Sequence, residues 1–200
     1  MDEDYVFVSR SGNDVTFDDV PSPWLGDIDQ FIQALEPQLW PLNRFIHDNP
    51  ELGYKEFKAH NALTRFMQAQ AGWKVTRSAF GMETAWEAVF DTGRPGPVVS
   101  FNAEMDALPG LGHACGHNLI AMVSIAAGLA TAEILRRGCL SGKVIIVGTP
   151  AEEGGGGKIK CLEAGAYENT DITLISHPGI LNNSPMPKTL GKASTHSTHS

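Results

Sequence analysis

Residues 98–118 read Val98-Val99-Ser100-Phe101-Asn102-Ala103-Glu104-Met105-Asp106, then Ala107 to Gly112, then His113-Ala114-Cys115-Gly116-His117-Asn118. An apolar, strand-like run breaks into carboxylates, then into a turn carrying imidazole and thiol. Two further runs repeat the pattern. Lys143 to Val147 ends in Thr149-Pro150-Ala151-Glu152-Glu153 and four glycines, and Asp171 to Ser176 ends in His177-Pro178-Gly179. In open α/β sheets, ligands bind beyond the carboxyl ends of the strands. Three strands tipped with carboxylate, thiol and imidazole therefore predict a metal-type site on one sheet edge.

The segments between these runs are helical in pattern. Asn118 to Arg137 is apolar on nearly all sides over its first half, predicting a buried helix that ends in Arg136-Arg137-Gly138. Lys158 to Ala164 is a shorter one, stopping at Gly165. Strand–helix–strand–helix–strand predicts an α/β fold with a mostly parallel sheet covered on both faces. Upstream, Ile28, Phe31, Ile32, Leu35, Leu39, Leu42, Phe45 and Ile46 follow helical spacing, with Pro37 and Pro41 expected to kink or divide the helix. A turn at 47–53, a helix over Glu56 to Gln70 and strands at Trp73 to Ser78 and Ala85 to Phe90 complete this part. Residues 1–23 read as a polar lead-in, 24–181 as the folded α/β domain, and 182–200 as a loop with a low-complexity Ser-Thr-His tail.

Composition bounds the partners. Fifteen basic against twenty-three acidic residues give a net charge of -8, and no basic stripe appears, which argues against nucleic acid and anionic membranes. The longest near-apolar run, Leu119 to Ala132, is too short to span a bilayer. The acidic start lacks the apolar stretch of a secretory signal. Three scattered cysteines, an odd number, argue against a disulfide framework, so the expected compartment is the cytoplasm.

The chemistry is sharpest at the strand ends. Cys115 and His117, two apart in a glycine-containing turn before a helix, could face one ion or a pair. A thiolate there would be favoured by the helix dipole, and ligation needs that deprotonated form. At the turn after the second strand, one of Glu152 and Glu153 could bind metal while its neighbour stays free as a general base. His177 is a further donor candidate. Asp106 is placed to orient a ligating imidazole through its second nitrogen. Each residue alone is commonly structural, and it is their shared position that favours a metal centre. A P-loop is excluded, because Glu152 stands where its first glycine is needed and Ile159 where Ser or Thr is needed. A Ser-His-Asp hydrolase lacks its Gly-x-Ser-x-Gly elbow.

Glu104-Met105-Asp106-Ala107-Leu108-Pro109, His113-Ala114-Cys115-Gly116-His117-Asn118, Pro150-Ala151-Glu152-Glu153-Gly154-Gly155-Gly156-Gly157-Lys158 and His177-Pro178 together resemble the aminoacylase and carboxypeptidase G-like metallopeptidases and amidohydrolases. The match is nearest to their β-alanyl-dipeptidase and aminobenzoyl-glutamate hydrolase branch, which His47-Asp48-Asn49-Pro50-Glu51-Leu52-Gly53 also resembles. The resemblance implies a three-layer αβα zinc-peptidase-like domain with a two-metal site, zinc or manganese. That site would hydrolyse small N-acyl amino acids or dipeptides in a homodimer. It implies Cys115, His117, Glu153 and His177 as ligands, Glu152 as general base and Asp106 as the orienting carboxylate. The thiol among the donors independently favours zinc over manganese. Such proteins are longer, so a truncated chain holding only the start of a lid domain is expected, and with it the alternative of an inactive metal- or partner-binding remnant.

Overall fold

The computed structural model describes residues 23–178 and, for the backbone only, 188–190. Helix α1 (Leu25–Asp48) and helix α2 (Phe57–Gln68) precede strands β1 (Trp73–Arg77), β2 (Trp86–Asp91) and β3 (Val98–Glu104). Helix α3 (His117–Arg137), strand β4 (Lys143–Thr149), the single turn α4 (Glu152–Gly155), helix α5 (Gly157–Glu163) and strands β5 (Ile172–Ile175) and β6 (Lys188–Leu190) follow.

The six strands form one sheet in the order β1-β2-β4-β3-β5-β6. The three site-bearing strands pair in parallel, with Glu104 opposite Thr149 and Phe101 opposite Leu174. Their carboxyl ends consequently share one edge. The expectation of a mostly parallel sheet needs correcting outside these strands. β1 with β2, β2 with β4 and β5 with β6 are all antiparallel, so the sheet is mixed. The β2–β4 pairing joins strands far apart in sequence, which alternation of apolar residues cannot specify. Lys188–Leu190, expected within a loop, pairs as β6. The lead-in and the Ser-Thr-His tail lie outside the described residues.

Alternating strand residues feed two cores. Ala103 and Ile146 face α1, α2 and α3, packing with Leu39, Leu63, Met67 and Ile125. Ile145 and Val147 face the other way, onto Cys161 of α5 and onto Ala166. The result is three layers, helix–sheet–helix. α1 runs through Pro37 and Pro41 as one helix, so the prolines do not divide it. Both prolines lie on the exposed face, where the carbonyls they leave unbonded meet water. α3 has the length and composition to cross a membrane, yet Ile120, Ala121 and Ile125 are enclosed in the core, which makes it the domain's central helix. Its Gly128 lets it approach the sheet, since a Cβ there would sit 2.7 Å from the Ile146 side chain.

Candidate metal centre

β3 ends by burying Glu104, and the chain behind it buries Asp106, both with almost no exposure. The loop then returns to Gly116, whose left-handed conformation (φ 83°) caps α3 and delivers His117 into the interior. A side chain at Gly116 would strike Pro178, 2.5 Å away, so glycine here also lets the β5 turn bring His177 alongside. The rings of His117 and His177 meet edge to face, 6.1 Å apart.

Asp106 fixes two neighbours at once. Its Oδ1 lies 3.2 Å from His117 Nδ1, and its Oδ2 accepts from the Glu153 backbone N–H at 2.9 Å. The Asp106 carbonyl lies 2.9 Å from the same imidazole nitrogen. A proton on Nδ1 satisfies both oxygens, leaving Nε2 to face the site. Burial opposes ionisation of Asp106, but the His117 hydrogen bond and the Glu153 amide hold its carboxyl below the usual range. Burial likewise pushes His117 down, and the Asp106 hydrogen bond with the charge of Glu104 lifts it above the ordinary imidazole value.

Around His117 Nε2 stand three carboxylates: Glu104 Oε2 at 3.1 Å, Glu152 Oε2 at 3.6 Å and Glu153 Oε1 at 3.8 Å. The closest contact is not a hydrogen bond in its angles, and both Glu104 Oε2 and His117 Nε2 are buried without a partner. Two sets of donor atoms each lie within 4.8 Å of one another: Cys115, His117 and Glu153, and Glu104, His117 and His177. Buried polar atoms without partners are costly, and these cluster where nitrogen, sulfur and oxygen donors converge. That donor set fits a divalent cation. The Lys158 ammonium pairs with the other oxygen of Glu104 and lies 3.6 Å from Glu152 Oε1.

All six residues singled out in the sequence come together at this edge. Two features differ from expectation. Burial above all, with the charges of Glu153 and Asp106, raises the Cys115 thiol above its ordinary value, and the His117 backbone N–H offsets only part of this. His113, grouped with Cys115 and His117 in the motif, belongs to neither donor set. Burial and the nearby His117 and His47 hold it down to about 4, keeping it neutral near pH 7. Sequence reasoning gave no role to Glu104, to Lys158 or to buried Glu56. Glu104 carried a signal, since it ends β3 two residues before Asp106, a spacing that puts both carboxylates on the same side of an extended chain.

Residues 100–193 match the model of peptidase family M20/M25/M40. Over that stretch the chain is similar to this family. The mouse Xaa-Arg dipeptidase is 45% identical over 166 residues, covering 78% of this chain and 38% of that protein. A p-aminobenzoyl-glutamate hydrolase polypeptide of Escherichia coli (strain K12) is 32% identical, covering 76% and 34% respectively. Among solved structures, the YXEP protein of Bacillus subtilis, a dinuclear metal-binding peptidase of the M20 family, superimposes with a TM-score of 0.61 at 28% identity. That overlap covers 70% of this chain and 42% of YXEP. The chain thus spans well under half the length of these M20 relatives, and its described sheet carries a metal-type edge.

Proposed function

We propose that the whole protein is a metal-dependent hydrolase of amide bonds in dipeptides or N-acyl amino acids, and that this chain supplies the metal-binding edge of its catalytic domain. One observation carries the reading. His117 Nε2, made a lone-pair donor by Asp106 on its far side, faces Glu104 at 3.1 Å without a hydrogen bond, amid two further carboxylates. In the metal-free chain a proton on the imidazole can answer that charge, as the raised pKa of His117 reflects, and a divalent cation held by the same converging donors would take its place.

Cys115, His117, Glu153 and His177 are the ligands in this reading, and Glu104 joins them from the second donor set. The two sets share only His117, whose single lone pair at Nε2 serves one ion, so a second ion draws on the remaining donors. The thiol favours zinc over manganese. A cysteine that must ligate has to escape oxidation, which is why we place the protein in the cytoplasm. A metal held by these residues would supply Lewis acidity for the scissile carbonyl and for the attacking water. Glu152, with no carboxylate oxygen committed to a backbone clamp among the described residues, takes the water's proton and delivers it to the departing amide nitrogen. Lys158, 3.6 Å from that carboxylate, steadies its charge.

The test is elemental analysis and hydrolysis of acetyl-amino acids and dipeptides by the full-length gene product, with Cys115→Ala and His117→Ala beside it. Metal should copurify and fall sharply in both variants, together with turnover. Full metal content in both would overturn the ligand assignment. Bound metal without turnover in the full-length protein would leave a metal-binding protein and overturn the hydrolase.

A further inference from the structure

Glu56 is fully buried at the foot of α2, has no cationic partner among the described residues, and plays no part in the chemistry above. Its Oε1 accepts from the backbone N–H of Tyr54 at 2.9 Å and of Ala151 at 2.8 Å. Its Oε2 accepts from the Thr84 hydroxyl at 2.7 Å. Ala151 is left-handed (φ 52°), a conformation that a residue with a Cβ adopts only under constraint. Its methyl group is pressed against Gly53, where a Cβ would lie 2.8 Å away. Two residues further on, the Glu153 N–H is held by Asp106. Two buried carboxylates thus clamp alternate amides of one short turn, and Glu152 lies between the clamps.

We propose that Glu56 is a positioning residue of the metal centre. By accepting the Ala151 amide it holds the left-handed bend through which Glu152 and Glu153, adjacent in sequence, both reach His117. The claim rests on the metal-site reading above. What it requires is an acceptor at the right reach, not a negative charge. Glutamine supplies that acceptor, and its amide can donate to Thr84, whose hydroxyl can rotate to accept. Aspartate keeps the charge but falls one methylene short.

The experiment uses Glu56→Gln and Glu56→Asp in the full chain, with cobalt(II) as a spectroscopic probe and amide hydrogen exchange on the metal-free protein. Glu56→Asp, with unchanged far-UV circular dichroism, should bind cobalt about 10–100-fold more weakly and shift its visible spectrum. Glu56→Gln should stay within about threefold of the native affinity, well under that 10–100-fold loss. In the native protein the Ala151 amide should exchange as slowly as the β4 core amides. The proposal is overturned if Glu56→Asp binds like the native chain, or if Glu56→Gln loses as much as Glu56→Asp. It is overturned too, even should Glu56→Asp fail to fold, if the native Ala151 amide exchanges like an exposed loop. A native chain that binds no cobalt would sink the metal reading, while exchange at Ala151 would still decide the clamp.

Discussion

On the β3–α3 side of the centre, Glu104, Asp106 and His117 have side chains no more than 1% exposed and locked to one another. On the β4 side, Glu152 and Glu153 are about one-third exposed, and His177 at the end of β5 lies at the surface. The buried side receives its geometry from folding itself, because its atoms have nowhere else to go. The open side is fixed through its backbone, by Asp106 on the Glu153 amide, Glu56 on the Ala151 amide and Pro178 against Gly116, while its side chains keep rotational freedom. A hydrolytic site needs both. Ligand atoms gain from being pre-set, whereas a proton carrier has to swing between water and leaving group.

The contrast is broken most directly at Glu152. Glu152→Gln should leave metal content and stability intact and lower hydrolysis by the full-length protein by about 10²–10⁴-fold. Elemental analysis beside an assay on acetyl-amino acids reads both quantities. Loss of metal in this variant would exchange the roles of the two adjacent glutamates.

The histidines test the same contrast through stability. In protein stripped of metal with chelator, His117→Ala removes the imidazole on which buried Asp106 and Glu104 converge. It should cost about 3–5 kcal/mol, as expected when one member of a buried ionic cluster is deleted. His177→Ala, at the surface, should change stability by less than about 0.5 kcal/mol, although both variants lose metal. Urea midpoints separate them, and equal destabilisation would mean that the two sides are not differently built.

Asp106→Asn is a finer probe, since asparagine keeps the shape but weakens the hold on His117 Nδ1. Metal affinity should fall about 10–100-fold, read by competition with a chromophoric chelator. An unchanged affinity would show that the Asp106 carbonyl, 2.9 Å from the same nitrogen, suffices to orient the ring.

Much of the site was legible in the sequence because its donors follow the ends of apolar runs, a local pattern that parallel pairing converts into proximity. Cys115, His117, Glu152, Glu153 and His177 needed only that rule. What stayed hidden depends on contacts between distant segments. Glu56 reads as an ordinary helix-start carboxylate, and nothing local connects it to Ala151, 95 residues away. Glu104 looked like the tail of a strand until Lys158, 54 residues on, paired with it. The β2–β4 pairing and the unbroken α1 belong to the same class, decided by packing and by which face meets water.

The smallest effect belongs to the support beneath the open side. His60 of α2 is buried, with Nδ1 3.0 Å from the carbonyl of Thr84, the residue whose hydroxyl also holds Glu56. Burial lowers its pKa below the ordinary imidazole value, the Thr84 carbonyl opposes this, and the nearby Arg77 charge adds to the lowering. The folded chain therefore resists a proton that the unfolded chain accepts. This contribution to stability is fully present above the unfolded value of about 6.5 and is lost as pH falls from there through the lower folded value. A melting temperature followed from pH 7.5 to 5.5 should decline, and the decline should be shallower in His60→Gln, which cannot titrate. Glutamine can still donate an N–H to the Thr84 carbonyl, so the Glu56 clamp should survive at neutral pH. Parallel curves for the native and variant proteins would mean that His60 takes up its proton as readily folded as unfolded, and that α2 is looser beneath the Ala151 turn than its burial implies.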